Sequence, residues 1–175
     1  MQRVVVLGRG GAGKSTAAAR LGAILGLPVL ELDNYFWKRD LAPTPLQEWV
    51  RMQQRLTAGT GWIMDGDLGP YDALGSRLAA ADTVLVLDFS MMRCAWRAAR
   101  RSRERADFWW WLVMWRHRSR LRVMDAIAQH AASADAYVIR TPRALRQFLA
   151  QLEGRGVART GFSGSPSAEA PSDRL

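Results

Sequence analysis

Apolar positions along this chain fall into short continuous runs separated by longer stretches with helical spacing. The runs are Val4–Leu7, Pro28–Leu32, Trp62–Gly66, Thr83–Phe89 and Ala136–Arg140. Runs this short, β-branched and bounded by turn residues predict strands buried on both faces, as in a parallel sheet. The intervening stretches predict helices over Ser15–Leu25, Thr44–Ala58, Ala73–Ala80, Met91–Arg105, Asp107–Ala131 and from Thr141 to about Leu152. Leu21, Ile24 and Leu25 form the inward face of the first, and Gly26 and Pro28 stop it. Thr44, Pro45 and Gln47 read as N-cap, first helical position and capping-box partner of the second. Asn34–Pro43 is expected as a loop. From Glu153 onward Gly, Ser, Pro and Ala dominate, which predicts a domain over residues 1–152 and a disordered tail over 153–175.

Strands alternating with helices imply an α/β fold with a parallel sheet and helices on both faces. Ligands in such folds bind beyond the C-terminal ends of the strands. Gly8, Asp33, Asp65 with Gly66, Phe89 and Arg140 are therefore expected on one rim.

The junction of the first strand and first helix carries specific chemistry. Gly8-Arg9-Gly10-Gly11-Ala12-Gly13-Lys14-Ser15 matches G-x-x-x-x-G-K-[ST], and Thr16 follows. Glycines let consecutive backbone N–H groups converge on phosphate oxygens, and the helix points its positive end at the same anion. Lys14 suits the β- and γ-phosphates and Ser15 suits Mg²⁺, so the motif implies a bound nucleoside triphosphate. Asp33 and Asp65, at the ends of the second and third strands, suit a metal contact, direct or through water, and one of them suits deprotonation of an acceptor hydroxyl. The alternative for Asp33 is a local turn role. Asp88 shares the position but is followed by another apolar residue before the helix.

Charge changes the picture in one respect. The formal net charge is +9, and lysine stands only at Lys14 and Lys38, so the excess is arginine. An arginine-rich surface suits phosphorylated ligands, nucleic acid or an anionic membrane surface. Arg93, Arg97, Arg100 and Arg101 share one helix face, with Met92, Ala95, Trp96 and Ala99 on the other. The tryptophan-rich run Phe108–Trp115 continues into a stripe of Trp110, Val113, His117, Leu121, Met124, Ala128 and Ala131. That stripe reads as a core face, and an acceptor pocket, a homodimer face or membrane-surface contact are its alternatives. His130 is expected at the surface. No run approaches the roughly 18–20 apolar residues of a membrane span. The single cysteine, Cys94, is expected buried and inert. A strand pattern beginning at once leaves no room for a leader, and the expected location is the cytoplasm.

Taken together, the phosphate loop, Leu32-Asp33 with Tyr35-Phe36-Trp37, Trp62 to Asp67 and Leu87-Asp88-Phe89 resemble the adenylate-kinase-like P-loop proteins. Within them, the chain is most similar to the bacterial group labelled DNA topology modulation protein, over residues 3–150. The resemblance implies a three-layer fold with a five-stranded parallel sheet, Mg-ATP as donor and an arginine-bearing lid, here short (Ser102–Phe108). It places phosphates on Gly10–Thr16, Mg²⁺ on Ser15, and acceptor binding, base catalysis or metal contact on Asp33. It puts lid-helix arginines at Arg97 and Arg101, a further arginine at Arg77, and the adenine beside Thr141-Pro142-Arg143. Asp67-Leu68-Gly69-Pro70 stands where adenylate kinases carry a nucleotide-reading arginine, which argues against AMP as acceptor. The leading expectation is a kinase acting on a nucleotide, nucleoside or other small acceptor, with Tyr35, Phe36, Trp37, Asp65, Gly66, Asp67 and Arg77 at the acceptor. A nucleic-acid-associated regulatory NTPase is the alternative, although weak, non-specific binding of nucleic acid is the most that is expected. Peripheral membrane association through the Trp/Arg helix comes third.

Overall fold

A computed structural model describes residues 1–40, 42–101 and 119–160, with the backbone alone at 70, 97, 98, 100, 101 and 155–160. Five strands form one parallel sheet: β1 (Arg3–Gly8), β2 (Val29–Glu31), β3 (Trp62–Asp65), β4 (Thr83–Leu87) and β5 (Asp135–Ile139), in the order β2-β3-β1-β4-β5. The helices are α1 (Lys14–Leu25), α2 (Asp33–Phe36), α3 (Leu46–Thr57), α4 (Leu74–Ala80), α5 (Met91–Arg101), α6 (Arg120–His130) and α7 (Pro142–Thr160). The expected α/β class and five-stranded parallel sheet are both present.

The period of two along each strand divides the core into two layers. Val5, Leu7, Met64, Val84 and Val86 face one side, against Phe36, Trp49, Leu78, Val123 and Ile127 from α2, α3, α4 and α6. Val4, Val6, Ile63, Leu85 and Leu87 face the other, against Ala17, Ala18 and Leu21 of α1, Cys94 of α5 and Leu149 of α7. Apolar residues at both parities explain why the strands read as continuous runs. Asp82 closes the N-terminal edge, where its Oδ2 accepts the N–H groups of Gln2 (2.7 Å) and Arg3 (3.0 Å). Burial pushes the Asp82 carboxyl up, but bonds from Thr83, Gln2 and Arg3, with the N-terminal ammonium, outweigh it and hold the pKa below its ordinary value.

Several expectations are corrected. Asp33–Phe36 is a short helix, not part of a loop, and Asp33 opens it. The capping box before α3 does not form: Pro45 is the N-cap residue, with no side-chain cap. Thr44 instead turns its hydroxyl to the carbonyl of Phe36 at the end of α2, which also accepts the Thr44 N–H at 3.1 Å. Of the expected stripe, Ala131 at the C-cap of α6 is buried and Met124 packs against the core, whereas Leu121 is 56% exposed, Ala128 is exposed, and Val123 and Ile127 are the buried residues of the helix. The stripe is therefore rotated, because α6 packs on α4 through the i, i+4 row beginning at Val123. On α5, Cys94 is buried as expected, Met92 and Trp96 are 80% and 60% exposed, and Ala95 packs against the core. The last helix runs to Thr160, past its expected end at about Leu152. The Trp-rich run, His117, the lid and residues 161–175 lie outside the described residues. His130 is exposed at the end of α6, as expected.

Candidate active site

The loop from Gly8 to Ser15 lies at the centre of the rim because β1 is the middle strand of the sheet. Two of its glycines are dictated by close approach. A Cβ on Gly8 (φ 143°) would lie 2.5 Å from the carbonyl oxygen of Leu87, and one on Gly11 (φ 72°) 2.5 Å from that of Cys94. Gly8 thus lets β4 pair beside the loop, and Gly11 lets the loop rest on the α5 backbone. Gly13, left-handed at φ 91°, is the N-cap of α1, which has neither a side-chain cap nor an acidic residue in its first turn. The first-turn amides and the positive end of a 12-residue helix therefore face the loop's concavity unanswered by any protein carboxylate cap. Backbone arranged in this way is able to receive an anion.

Side chains converge on the same point. Lys14 folds back so that Nζ donates to the Arg9 carbonyl at 3.5 Å. Asp65, at the end of β3 beside β1, is 5% exposed and hydrogen-bonded to the Ser15 side chain. Burial pushes the Asp65 carboxyl above its ordinary value. The Ser15 bond and the Lys14 charge oppose this, and the nearby charges of Asp33 and Glu31 add to it. Asp65 Oδ1 is buried with no hydrogen-bond partner. An orphaned carboxylate oxygen against a serine hydroxyl fits Mg²⁺, which takes one or two protein oxygens and completes its shell with water and substrate phosphates. Among the described residues no group of three or more His, Cys, Asp or Glu could hold a metal. Asp33 is exposed, near enough for its charge to be felt at Asp65.

The other expected residues separate into those at an opening and those that build walls. Tyr35 and Trp37 are 39% and 38% exposed, while Phe36 is 1% exposed and packs edge-on against Trp49, so Phe36 belongs to the core. Arg77 has no exposed side-chain surface. Its two terminal nitrogens meet Asp72 at 2.6 Å each, Gln53 Oε1 at 3.1 Å and the Gly66 carbonyl at 3.1 Å. Occupied in this way and without exposed side-chain surface, Arg77 fixes the backbone after Asp65. Asp67 Oδ1 accepts the Gly69 N–H (3.1 Å), closing the turn that follows Gly66. Thr141 is the N-cap of α7, with its hydroxyl accepting the Ala144 N–H at 3.1 Å. Pro142 lines a cleft of about 220 Å³ between α1 and α7, with Ala12, Gly13, Thr16, Phe89 and Leu145. Arg143 is not in that lining; Arg20 and Arg146 are, and sequence reasoning missed both. Arg146 falls four residues after Pro142 on the same helix face, a spacing that points to it. The backbone of α5 carries Arg97 and Arg101, whose side chains lie outside the description.

No protein-family model and no curated protein matches the chain. Solved structures do. A shikimate kinase from Acinetobacter baumannii in complex with shikimate superposes with TM-score 0.56 at 17% identity, covering 94% of this chain and 96% of that one. A gluconokinase from Sinorhizobium meliloti 1021 gives 0.54 at 16%, over 93% and 98%. An unliganded sugar kinase from Janibacter sp. HTCC2649 gives 0.51 at 21%, over 93% and 96%. The fold is that of the P-loop kinases.

Proposed function

We propose that this chain is a phosphotransferase that moves the γ-phosphoryl group of ATP to a small hydroxylated or phosphorylated acceptor, such as a nucleotide, a nucleoside or another metabolite. The observation that carries the reading is the bare N-terminus of α1 under a glycine loop, with Lys14, Ser15 and the buried Asp65 at one point. The fold shared with kinases of other small molecules supports it.

ATP would lie with its phosphates on the amides of Gly10–Thr16 and its base in the cleft beside Pro142. Ser15 and Asp65, with Asp33 in reach, would hold Mg²⁺, which supplies charge neutralisation at the β- and γ-phosphates. Asp33, exposed at the start of α2, orients the acceptor hydroxyl and accepts its proton as oxygen bonds to the γ-phosphorus. The bond from that phosphorus to the β–γ bridging oxygen breaks, and ADP leaves. Lys14, with Arg97 and Arg101 from the lid helix, stabilises the charge that develops. Tyr35 and Trp37 provide an exposed aromatic edge on the acceptor side.

The test is an ATP-consumption screen across nucleosides, nucleotides and small metabolites, with turnover in water alone as baseline. One acceptor class should raise consumption far above that baseline. In Asp33→Asn, transfer to that acceptor should fall roughly 10²–10⁴-fold while the water leak changes little. Unaltered turnover in a folded Lys14→Ala variant would refute the assignment.

A further inference from the structure

Phe36, Trp37 and Tyr71 meet beside Asp33. Phe36 ends α2, Trp37 follows it, and Tyr71 ends a single-turn 3-10 helix, Gly69–Tyr71, in the segment after β3. The ring centroids of Phe36 and Trp37 lie 4.9 Å apart, and each lies 6.2 Å from that of Tyr71. Phe36 is buried and closes the base of the group, whereas Trp37 is 38% and Tyr71 54% exposed. Single exposed aromatics are ordinary on a protein surface, but two in contact above a buried third form a wall. Backbone bonds hold that wall in place. The Trp37 N–H donates to the Asp33 carbonyl at 3.3 Å, Trp37 bridges Pro43, and the Lys38 N–H donates to the Ala42 carbonyl at 3.0 Å. Under Tyr71 the turn is closed by its N–H on the Leu68 carbonyl (3.4 Å) and by Asp72, which accepts the Leu68 N–H and is clamped by Arg77. The wall is continuous with the phosphate-loop site. Asp33 and Trp37 are one turn apart on the same side of α2, so their Cβ atoms lie about 5–6 Å apart, and the Asp33 charge is felt at Asp65.

We infer that Trp37 and Tyr71 receive the base of a nucleoside, which names nucleosides as the acceptor class. The two rings are inclined at 73°, so a flat aromatic ring laid on one meets the other edge to face, and both arrangements are favourable. Every base has a π-face, and stacking on aromatic side chains uses it. A saturated sugar on its own fits this wall less well. Its rim hydroxyls would lose water against rings whose only polar atoms are the Tyr71 hydroxyl and the Trp37 indole N–H. A nucleoside carries a flat base and, across its sugar, a hydroxyl, and so spans the wall and the Asp33 carboxylate together. Because the wall is already held by the backbone, little ordering cost is left to binding. The hydroxyl at Asp33 rests on the phosphotransferase reading above, whereas the base on the wall does not.

The experiment is calorimetric titration of the full chain, without ATP, using adenosine, guanosine, cytidine, uridine and thymidine, with ribose and glucose as saturated-ring controls. At least one nucleoside should bind, and more tightly than either sugar. Trp37→Leu and Tyr71→Leu should each weaken that binding roughly 5–150-fold, the worth of stacking on one aromatic. Tyr71→Phe should lose less, because it keeps the ring. Thermal melting checks that each variant is folded, and Tyr71 is exposed enough for its replacement to leave the fold in place. Nucleosides that bind no better than ribose, or nucleoside binding indifferent to both leucine variants, would overturn the proposal. ATP consumption measured beside the titrations keeps the two readings apart. If a nucleoside binds through Trp37 and Tyr71 but ATP is consumed with no acceptor at all, the phosphotransferase reading fails and the nucleoside site stands. If ATP is consumed with ribose or glucose while no nucleoside binds, the phosphotransferase reading stands and the nucleoside site falls.

Discussion

Replacing Arg77 by Met gives the sharpest test of how the rim is held. The guanidinium meets Asp72 through two bonds of 2.6 Å, with side-chain exposures of 0% and 1%. It also satisfies Gln53 Oε1 and the Gly66 carbonyl, each at 3.1 Å. Methionine fills much of the volume but leaves the Asp72 charge buried and alone. Removing one partner of such a pair costs about 3–5 kcal/mol. For a chain of this size each kcal/mol lowers Tm by about 2–4 °C, so Tm should fall by about 6–20 °C. Asp72→Asn removes the charge but keeps an oxygen for the Leu68 N–H, which Asp72 Oδ2 now accepts at 3.2 Å. The double variant should therefore lose clearly less than the sum of the two single losses, because the stranded charge is gone. Urea denaturation of the four proteins measures the coupling. A loss below about 1 kcal/mol in Arg77→Met, or strict additivity, would refute the reasoning, since either places the pair in an environment close to water.

Three further outcomes follow from the same geometry. Gly11→Ala places a Cβ against the Cys94 carbonyl at a left-handed φ; the backbone term alone costs about 1–2 kcal/mol, and both Tm and ATP-analogue affinity should fall. Asp65→Asn should raise Tm of the nucleotide- and metal-free protein, because burial disfavours its charged form, while ATP turnover falls; a lower Tm would mean that the Ser15 bond outweighs burial. Asp82 has a depressed pKa, so its contribution is present above the ordinary value of 3.8 and is lost as pH falls through the folded value; the Tm gap between wild type and Asp82→Asn should be open at pH 7 and close below about pH 4.

The fold was legible because the strands are apolar at both parities and the glycine loop marks β1 beyond doubt of register. The centre of the site was legible for the same reason: Lys14, Ser15 and Asp65 follow strand ends, and strand ends in a parallel sheet share one rim. What sequence could not give is which charged side chains are buried. Arg77 reads as one more arginine in a basic chain until Asp72, five residues earlier, and Gln53, on another helix, are seen around it. The face of α6 was missed because Leu121 and Val123 offer two competing apolar stripes, and only the seat on α4 decides between them.

Charge burial points to where this fold is organised for function. Among the described residues the buried charged side chains include Arg9, Asp65 and Arg77 with its partner Asp72, and each lies in or anchors a segment at the C-terminal rim. Burying a charge opposes folding unless something nearby answers it. Arg77 is answered by Asp72, and it stabilises the rim. Asp65 is answered only in part, by Ser15 and Lys14, and retains an oxygen without a partner. Arg9 has contacts of its own yet lines a cleft with two other arginines. A fold that served only its own stability would replace Asp65 with an apolar residue at little cost. Its place beside the bare N-terminus of α1 is what the proposed phosphate chain and metal would require.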